Sequence, residues 1–303
     1  MGVSKTSAIL LCNLSQRGLL NGALLQLGVQ RISPEAKYLI KQTFKSVSQH
    51  SLNEFSSGKK RFWHSLGFDE VKSLDFNDFE GAEFICDLNK PVEPTLLERF
   101  DVVFDGGTLE HIFDIKAALF NIDSLLVDGG LVIHEVPSSN SIDHGFYSFS
   151  PTFFQDFYPN QGYEIIELLL VVKRGRRAKI YHYSTPPPRK YIRENWGNKT
   201  VNVWCVARKC NSLTYLNSPQ QAKYLNAWSR NSANTNLMQV AKVQKMIENV
   251  KQKFNTAMSI NGQRYPLLEE LSRLASKRIH GFCFPKDHKL ELLFRVKSRK
   301  EAA

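Results

Sequence analysis

FDVVFDGGTLEHIFD, residues 100–114, and AALFNIDSLLVDGGLVIHEVP, residues 117–137, decide how this chain folds. Phe100–Phe104 is a compact β-type run that stops on Asp105, Gly106 and Gly107. Apolar residues then recur at helical spacing from Ile115 to Leu126, and Asp128, Gly129 and Gly130 turn the chain into a second β-type run, Leu131–Val136. Strand, helix and strand in that order form a parallel pair with the helix as crossover, so the segment predicts an α/β fold.

The same alternation extends towards the N-terminus. Ala23–Leu27 reads as a strand ending at Gly28, and Ser33, Pro34 and Glu35 open a helix with a capping hydroxyl, a proline at the first helical position and an acid in the first turn. Val71–Leu74 is a strand ending in Asp75, and Ala82–Cys86 one ending in Asp87. Parallel strand ends converge on one edge, where ligands bind. Gly28 lets a ligand approach the backbone there, Asp75 with Phe76 beside it offers a carboxylate to paired ribose hydroxyls, and Asp87 and Leu88 suit an adenine ring. Asp105, Gly106, Gly107 and Thr108 come to the middle of the same crevice.

Towards the C-terminus a polar loop, Pro137–Ser150, precedes a short helix, Pro151–Phe157, capped by Ser150. Ile165–Val172 and Val201–Val206 are expected to pair as a final antiparallel hairpin, interrupted by an insertion over residues 173–200 that is too long for a simple hairpin loop. From about residue 212 the chain reads as helical and basic, with Leu237–Phe254 the clearest amphipathic stretch. The expected organisation is one sheet domain, residues 1–210, and a helical basic extension, residues 211–303.

With 303 residues, 42% apolar content and a mean hydropathy of −0.31, the chain can bury a proper core. Its longest apolar runs, Ala8–Cys12 and Leu168–Val172, fall far short of the roughly 18 residues of a membrane helix. The five cysteines, at 12, 86, 205, 210 and 283, include no CxxC pair and no neighbouring histidine at zinc-finger spacing, so they read as buried thiols of a cytoplasmic protein and no metal site is expected. Lys5 and the run from Ala8 resemble the start of a secretory leader, but Asn13, Ser15, Gln16 and Arg17 interrupt it; Gly2 with Thr6 fits a loose myristoylation pattern. Residues 1–150 hold 13 Lys and Arg against 19 Asp and Glu, and residues 151–303 hold 27 against 10. The basic half includes Lys173, Arg174, Arg176, Arg177 and Lys179 in one cluster, which suits an acidic partner.

At residues 100–137 the sequence resembles the class I S-adenosylmethionine-dependent methyltransferases: strand four, the Leu-Glu-His segment, the following helix and the Gly-Gly turn into strand five. HGFYSFSPTFF, from His144, is similar to a bacterial subgroup of that family, and the resemblance extends over about residues 20–210. It implies a Rossmann-like methyltransferase sheet, mostly parallel with a final antiparallel hairpin, and S-adenosylmethionine as cofactor. Gly28 would then lie in the cofactor loop, Asp75 and Phe76 at the ribose, Asp87 and Leu88 at the adenine, and Asp105, Gly106, Gly107 and Thr108 near the methionine part. The first loop, LLQLGVQ, departs from the family's acidic residue and G-x-G-x-G, with Gln26 in place of the acid and one glycine rather than three, and Gln30 or a nearby backbone carbonyl is expected to substitute in binding the methionyl ammonium.

Transfer to oxygen or nitrogen depends on positioning and can need a base. His144, in the polar loop beside Gly145, is the leading candidate, and His111 the second; His134, alternating within a strand, reads as a core histidine. Tyr147 is expected at the acceptor pocket, and Arg174, Arg176 and Arg177 at an acidic acceptor. The acceptor is expected to be a small molecule or a glycan precursor, with a phosphorylated one suiting the basic cluster. Three other readings compete. Tyr183, Tyr191 and Trp196 among basic residues suit an RNA methyltransferase, although no Asn-Pro-Pro-Tyr motif follows strand four. The single first-loop glycine suits an inactive scaffold that binds an acidic partner. A nicotinamide dehydrogenase lacks its G-x-G-x-x-G.

Overall fold

The computed structural model describes residues 2–43, 58–175, 177–184, 187–210, 216–225 and 290–296. Its first elements are β1 (Gly2–Val3), α1 (Lys5–Gln16), β2 (Ala23–Leu27), β3 (Arg31–Ile32), α2 (Pro34–Thr43) and α3 (Gly58–His64). Ser4 and Ser7 form a reciprocal capping box at the start of α1. The apolar run from Ala8 to Cys12 is therefore the buried face of a capped helix.

Then follow β4 (Glu70–Asp75), β5 (Phe84–Ile85), β6 (Phe100–Asp105), α4 (Ile115–Leu125), β7 (Leu126–Ser139) and α5 (Pro151–Asn160). The described chain continues through β8 (Glu164–Arg174), β9 (Arg177–Tyr183), α6 (Arg189–Trp196), β10 (Thr200–Arg208) and β11 (Leu290–Val296). Ser150 caps α5 through Thr152 N, as expected. β5 is shorter than Ala82–Cys86, and Asp128–Gly130 is not a separate turn: it lies inside β7, where the register against β6 shifts.

The sheet order is β11-β9-β8-β10-β7-β6-β2-β4-β5. β5, β4, β2, β6 and β7 are mutually parallel, whereas β10 runs antiparallel to both β7 and β8. This is the Rossmann-like sheet with an antiparallel end that the sequence implies. The 173–200 insertion does not simply loop between β8 and β10: β9 folds back antiparallel on β8 and widens the sheet. Residues 290–296 also differ from the helical expectation, forming a strand against β9; Leu237–Phe254 lies outside the described residues.

Two apolar layers enclose the sheet. On one face Leu25, Leu27, Val103, Val132 and Val203 pack with Ala118, Leu119 and Ile122 of α4 and Phe154, Phe157 and Tyr158 of α5. On the other, Leu24, Val102, Phe104, Ile133 and Trp204 pack with α1, α2 and α3 through Ile9, Leu11, Ala36 and Trp63. Among the described residues, no helix is long and apolar enough to cross a membrane. Cys12 and Cys205 are buried thiols as expected, with burial pushing Cys12 up to about 12; Cys210 is exposed, and Cys283 lies outside the described residues.

Candidate functional site

The chain adds β4 and β5 on one side of β2, then crosses back to add β6 and β7 on the other. The carboxyl ends of β2 and β6 therefore meet at the switch point where open α/β sheets bind ligands. Thr108 ties the two ends together, its hydroxyl donating to Leu27 O at 2.7 Å. Gly28 is at φ +71°, a left-handed backbone that glycine adopts without strain. Gln30 is buried beneath this junction: its Nε2 donates to Leu27 O at 2.9 Å, while its Oε1 is buried with no hydrogen-bond partner. A Cβ on Gly106 would stand 2.5 Å from that oxygen, so glycine here lets the Gln30 amide lie close against the backbone.

Asp75 ends β4 at the same edge, with Oδ1 accepting Phe76 N at 2.7 Å and Oδ2 a long contact from Val29 N at 3.4 Å. The carboxylate is partly exposed and retains acceptor capacity, and Phe76 and Phe79 stand exposed beside it. Asp87 turns towards its own loop, accepting from Asn89 and pairing with Lys90. Those hydrogen bonds from Asn89, then Lys90, hold its carboxyl below the usual range.

Two sequence-predicted side chains face inward instead of lining the crevice. Leu88 is a core residue, because the apolar layer over α4 takes it up. Asp105 is fully buried: Oδ1 accepts the backbone N–H groups of Gly107, Thr108 and Leu109, and Oδ2 meets His134 Nδ1 at 2.7 Å. His134 in turn meets the Tyr158 hydroxyl through Nε2, so it is a satisfied core histidine, and Asp105 is a support for the Gly106–Leu109 loop.

On the far side of the switch point the loop after β7 returns over the Leu109–His111 turn. Phe146 N and Tyr147 N both donate to Glu110 O, at 2.7 and 3.2 Å, and Tyr147 Oη donates to Phe113 O at 2.7 Å. The Tyr147 hydroxyl is thereby engaged within the protein. Gly145, at φ +87°, presses on Glu110 so closely that a Cβ would lie 2.7 Å from its carbonyl oxygen. This bend sets His144 Nε2 3.4 Å from Glu110 Oε1, with His111 Nε2 3.9 Å from the same oxygen. Both imidazoles are largely exposed, whereas Glu110 is 1% exposed. Burial, then the Asp105 carboxylate, pushes Glu110 up to about 8, and burial, then the His144 ring, lowers His111.

Glu110 is the residue the sequence reading passed over. Its only signal was its place between Leu109 and His111. It lines a cleft of about 370 Å³ together with His144, Glu135, Asn140, Lys173 and Asn202. Lys173 reaches Glu135 at 2.9 Å across β8, β10 and β7. Arg174 and Arg177, exposed partners at the β8–β9 turn, lie at this same edge of the sheet; Arg176 is outside the described residues. Tyr183 and Trp196, offered above as base-stacking aromatics, are buried against Thr152 and Tyr181 instead, so they present no stacking face.

No family model matches the chain, and no curated protein sequence matches it. Among solved structures it is similar to the 1,6-didemethyltoxoflavin-N1-methyltransferase of Burkholderia thailandensis, bound to 1,6-didemethyltoxoflavin and S-adenosylhomocysteine, at 14% identity, 68% of this chain, 79% of that one and a TM-score of 0.35. It is also similar to an S-adenosylmethionine-dependent methyltransferase of Mesorhizobium loti, at 12% identity, 64% of this chain, 96% of that one and a TM-score of 0.29. A third is the trans-methyltransferase CalH in complex with S-adenosylhomocysteine, at 14% identity, 66% of this chain, 54% of that one and a TM-score of 0.34.

Proposed function

We propose that the protein is an S-adenosylmethionine-dependent methyltransferase acting on a small polar acceptor held in the cleft beside His144. The observation that carries the cofactor half is Gln30 Oε1, a buried acceptor with no partner at the β2–β6 junction, lying close against Gly106. A buried acceptor without a donor is costly, and the methionyl ammonium supplies one. At this edge Asp75 would serve the ribose hydroxyls, with exposed Phe76 beside it, and Asp87, although bonded to Asn89 and Lys90, keeps acceptor lone pairs for the adenine end. S-adenosylmethionine brings the reactive sulfonium methyl; the protein's share is to align acceptor and methyl and to exclude water.

The acceptor half rests on the cleft. Its volume is that of a small-molecule site, and Glu135, Asn140, Lys173 and Asn202 offer both donors and acceptors to a polar substrate. His144, followed by His111, is the candidate to activate the acceptor's nucleophilic atom, supported by its place beside the cleft and by buried Glu110, which holds it from behind. Arg174 and Arg177 at the rim favour an acceptor that carries negative charge, such as a phosphorylated one.

Gln30→Leu tests the cofactor half. It removes the orphan acceptor at nearly constant volume, and S-adenosylhomocysteine should bind it about tenfold more weakly, the loss of one hydrogen bond. Unchanged affinity in a folded variant would remove Gln30 from the site.

A further inference from the structure

We propose that Glu110, His111 and His144 form a binding site for a first-row transition-metal dication of the Zn²⁺ or Fe²⁺ kind, opening into the cleft. One ligand atom from each of the three side chains lies within 4.8 Å of the other two. Nitrogen and oxygen ligands about 2.1 Å from a tetrahedral zinc ion stand about 3.4 Å from one another. The Glu110–His144 separation is already 3.4 Å, and Glu110–His111, at 3.9 Å, closes to that value by a small turn of an exposed ring.

A second observation points to a ligand. Glu110 Oε2 is buried without any hydrogen-bond partner, and no lysine or arginine among the described residues pairs with the carboxylate. A buried carboxylate oxygen without a hydrogen-bond partner is costly, and a dication held with the two imidazoles gives it one. The ligands are also held in advance. Phe146 N and Tyr147 N fasten the His144 loop to the carbonyl of Glu110, and Gly145 permits the close contact between them. Two exposed imidazoles over one buried carboxylate leave the remaining coordination positions towards the cleft, as in a catalytic rather than a structural site.

The donor set also decides the kind of metal. Two imidazoles and a carboxylate suit zinc, iron or nickel, whereas magnesium and calcium prefer oxygen ligands throughout. Cysteine spacing, on which the expectation of no metal site was based, is blind to such a cluster because it contains no cysteine. Binding of the cation is measured apart from the methyl-transfer reading, but it takes the imidazole lone pairs that His144 and His111 would need as bases. With the cation bound, the metal would hold and polarise the acceptor oxygen instead, a use that rests on that reading.

The test uses tag-free full chain stripped with chelator, titrated calorimetrically with zinc chloride and, separately, with magnesium chloride. One equivalent of zinc should bind, magnesium should not compete, and His111→Ala and His144→Ala should each weaken zinc at least tenfold. Glu110→Gln should do the same, and cobalt absorption bands of a low-coordinate site should appear in wild type and vanish in the His111→Ala, His144→Ala double variant. Because both histidines are exposed, these variants keep the fold, which circular dichroism checks. Zinc binding unchanged in the double variant, absence of stoichiometric zinc binding, or an anomalous-scattering peak elsewhere in a zinc-soaked crystal would overturn the proposal. S-adenosylhomocysteine binding measured on the same metal-free sample reports on the cofactor reading independently.

Discussion

Asp75 is the residue on which cofactor affinity should depend most simply. Its carboxylate already accepts from Val29 N and Phe76 N, and its remaining lone pairs are the ones the proposed function gives to the ribose. Asp75→Ala should weaken S-adenosylmethionine by about 1–3 kcal/mol, because two hydroxyls lose their acceptor; a wild-type dissociation constant in a folded variant would contradict the assignment. Gly145 makes a complementary prediction about the other half of the site. Its positive φ and its contact with the Glu110 carbonyl leave no room for a methyl group, so Gly145→Ala should cost roughly 1–3 kcal/mol of stability in denaturant unfolding. It should also lower turnover, by moving His144. The sequence marked Gly145 as a bend but gave no sign of what it bends against, since Glu110 is 35 positions away and the contact exists only once β7 is paired.

At the scale of elements, legibility followed the local signal. The parallel strands were readable because each is a short β-type run stopped by Gly or Asp, and α5 because Ser150 and Pro151 mark its start. β9 escaped notice: RAKIYHY mixes charge with aromatics, and only pairing with β8 makes it a strand. Other fixings are invisible in sequence altogether. Lys209, 1% exposed, donates to Asp123 O and Leu126 O at 2.7 and 3.0 Å, so a cation 83 or more residues away closes the C-terminal end of α4. Lys209→Met should cost on the order of 3 kcal/mol, because it leaves Asp123 buried without its cation; unfolding within 1 kcal/mol of wild type would contradict this.

Glu83 fastens β4 in another way, accepting from Ser73 N and Ser73 Oγ at 2.8 and 2.7 Å and pairing with Lys60. Partial burial works against the charge, but the Lys60 and Ser73 bonds prevail and hold Glu83 below the usual carboxylate range. Its folded pKa is depressed, so its contribution is present above the unfolded value and disappears as pH falls through the folded one. The stability difference between wild type and Glu83→Gln should therefore be present at pH 7 and shrink below about pH 4. A difference independent of pH would mean that charge plays no part.

For the molecule as a whole, the uneven charge described from sequence has a structural counterpart only in part. The acidic half supplies the strand ends at Asp75 and Asp87, and the basic half brings Lys173 and Arg174, two strands beyond β7, and Arg177, three strands beyond it, to the same sheet edge. The carboxyl edge therefore carries Asp75 and Asp87 on one side and Lys173, Arg174 and Arg177 on the other, with Gly106 and Gly107 between them; the proposed function gives the first side to a nucleoside and the second to a polar acceptor. That division of charge was legible in the order of strand-end residues. The roles of Asp105 and Leu88 were not, because sequence places a residue at an edge without telling whether its side chain turns into the core. The proposed function requires the junction of β2 and β6 to hold S-adenosylmethionine. In calorimetric titration of the full chain with S-adenosylmethionine one equivalent should bind, competed away by S-adenosylhomocysteine; a folded protein that shows no saturable binding would contradict it.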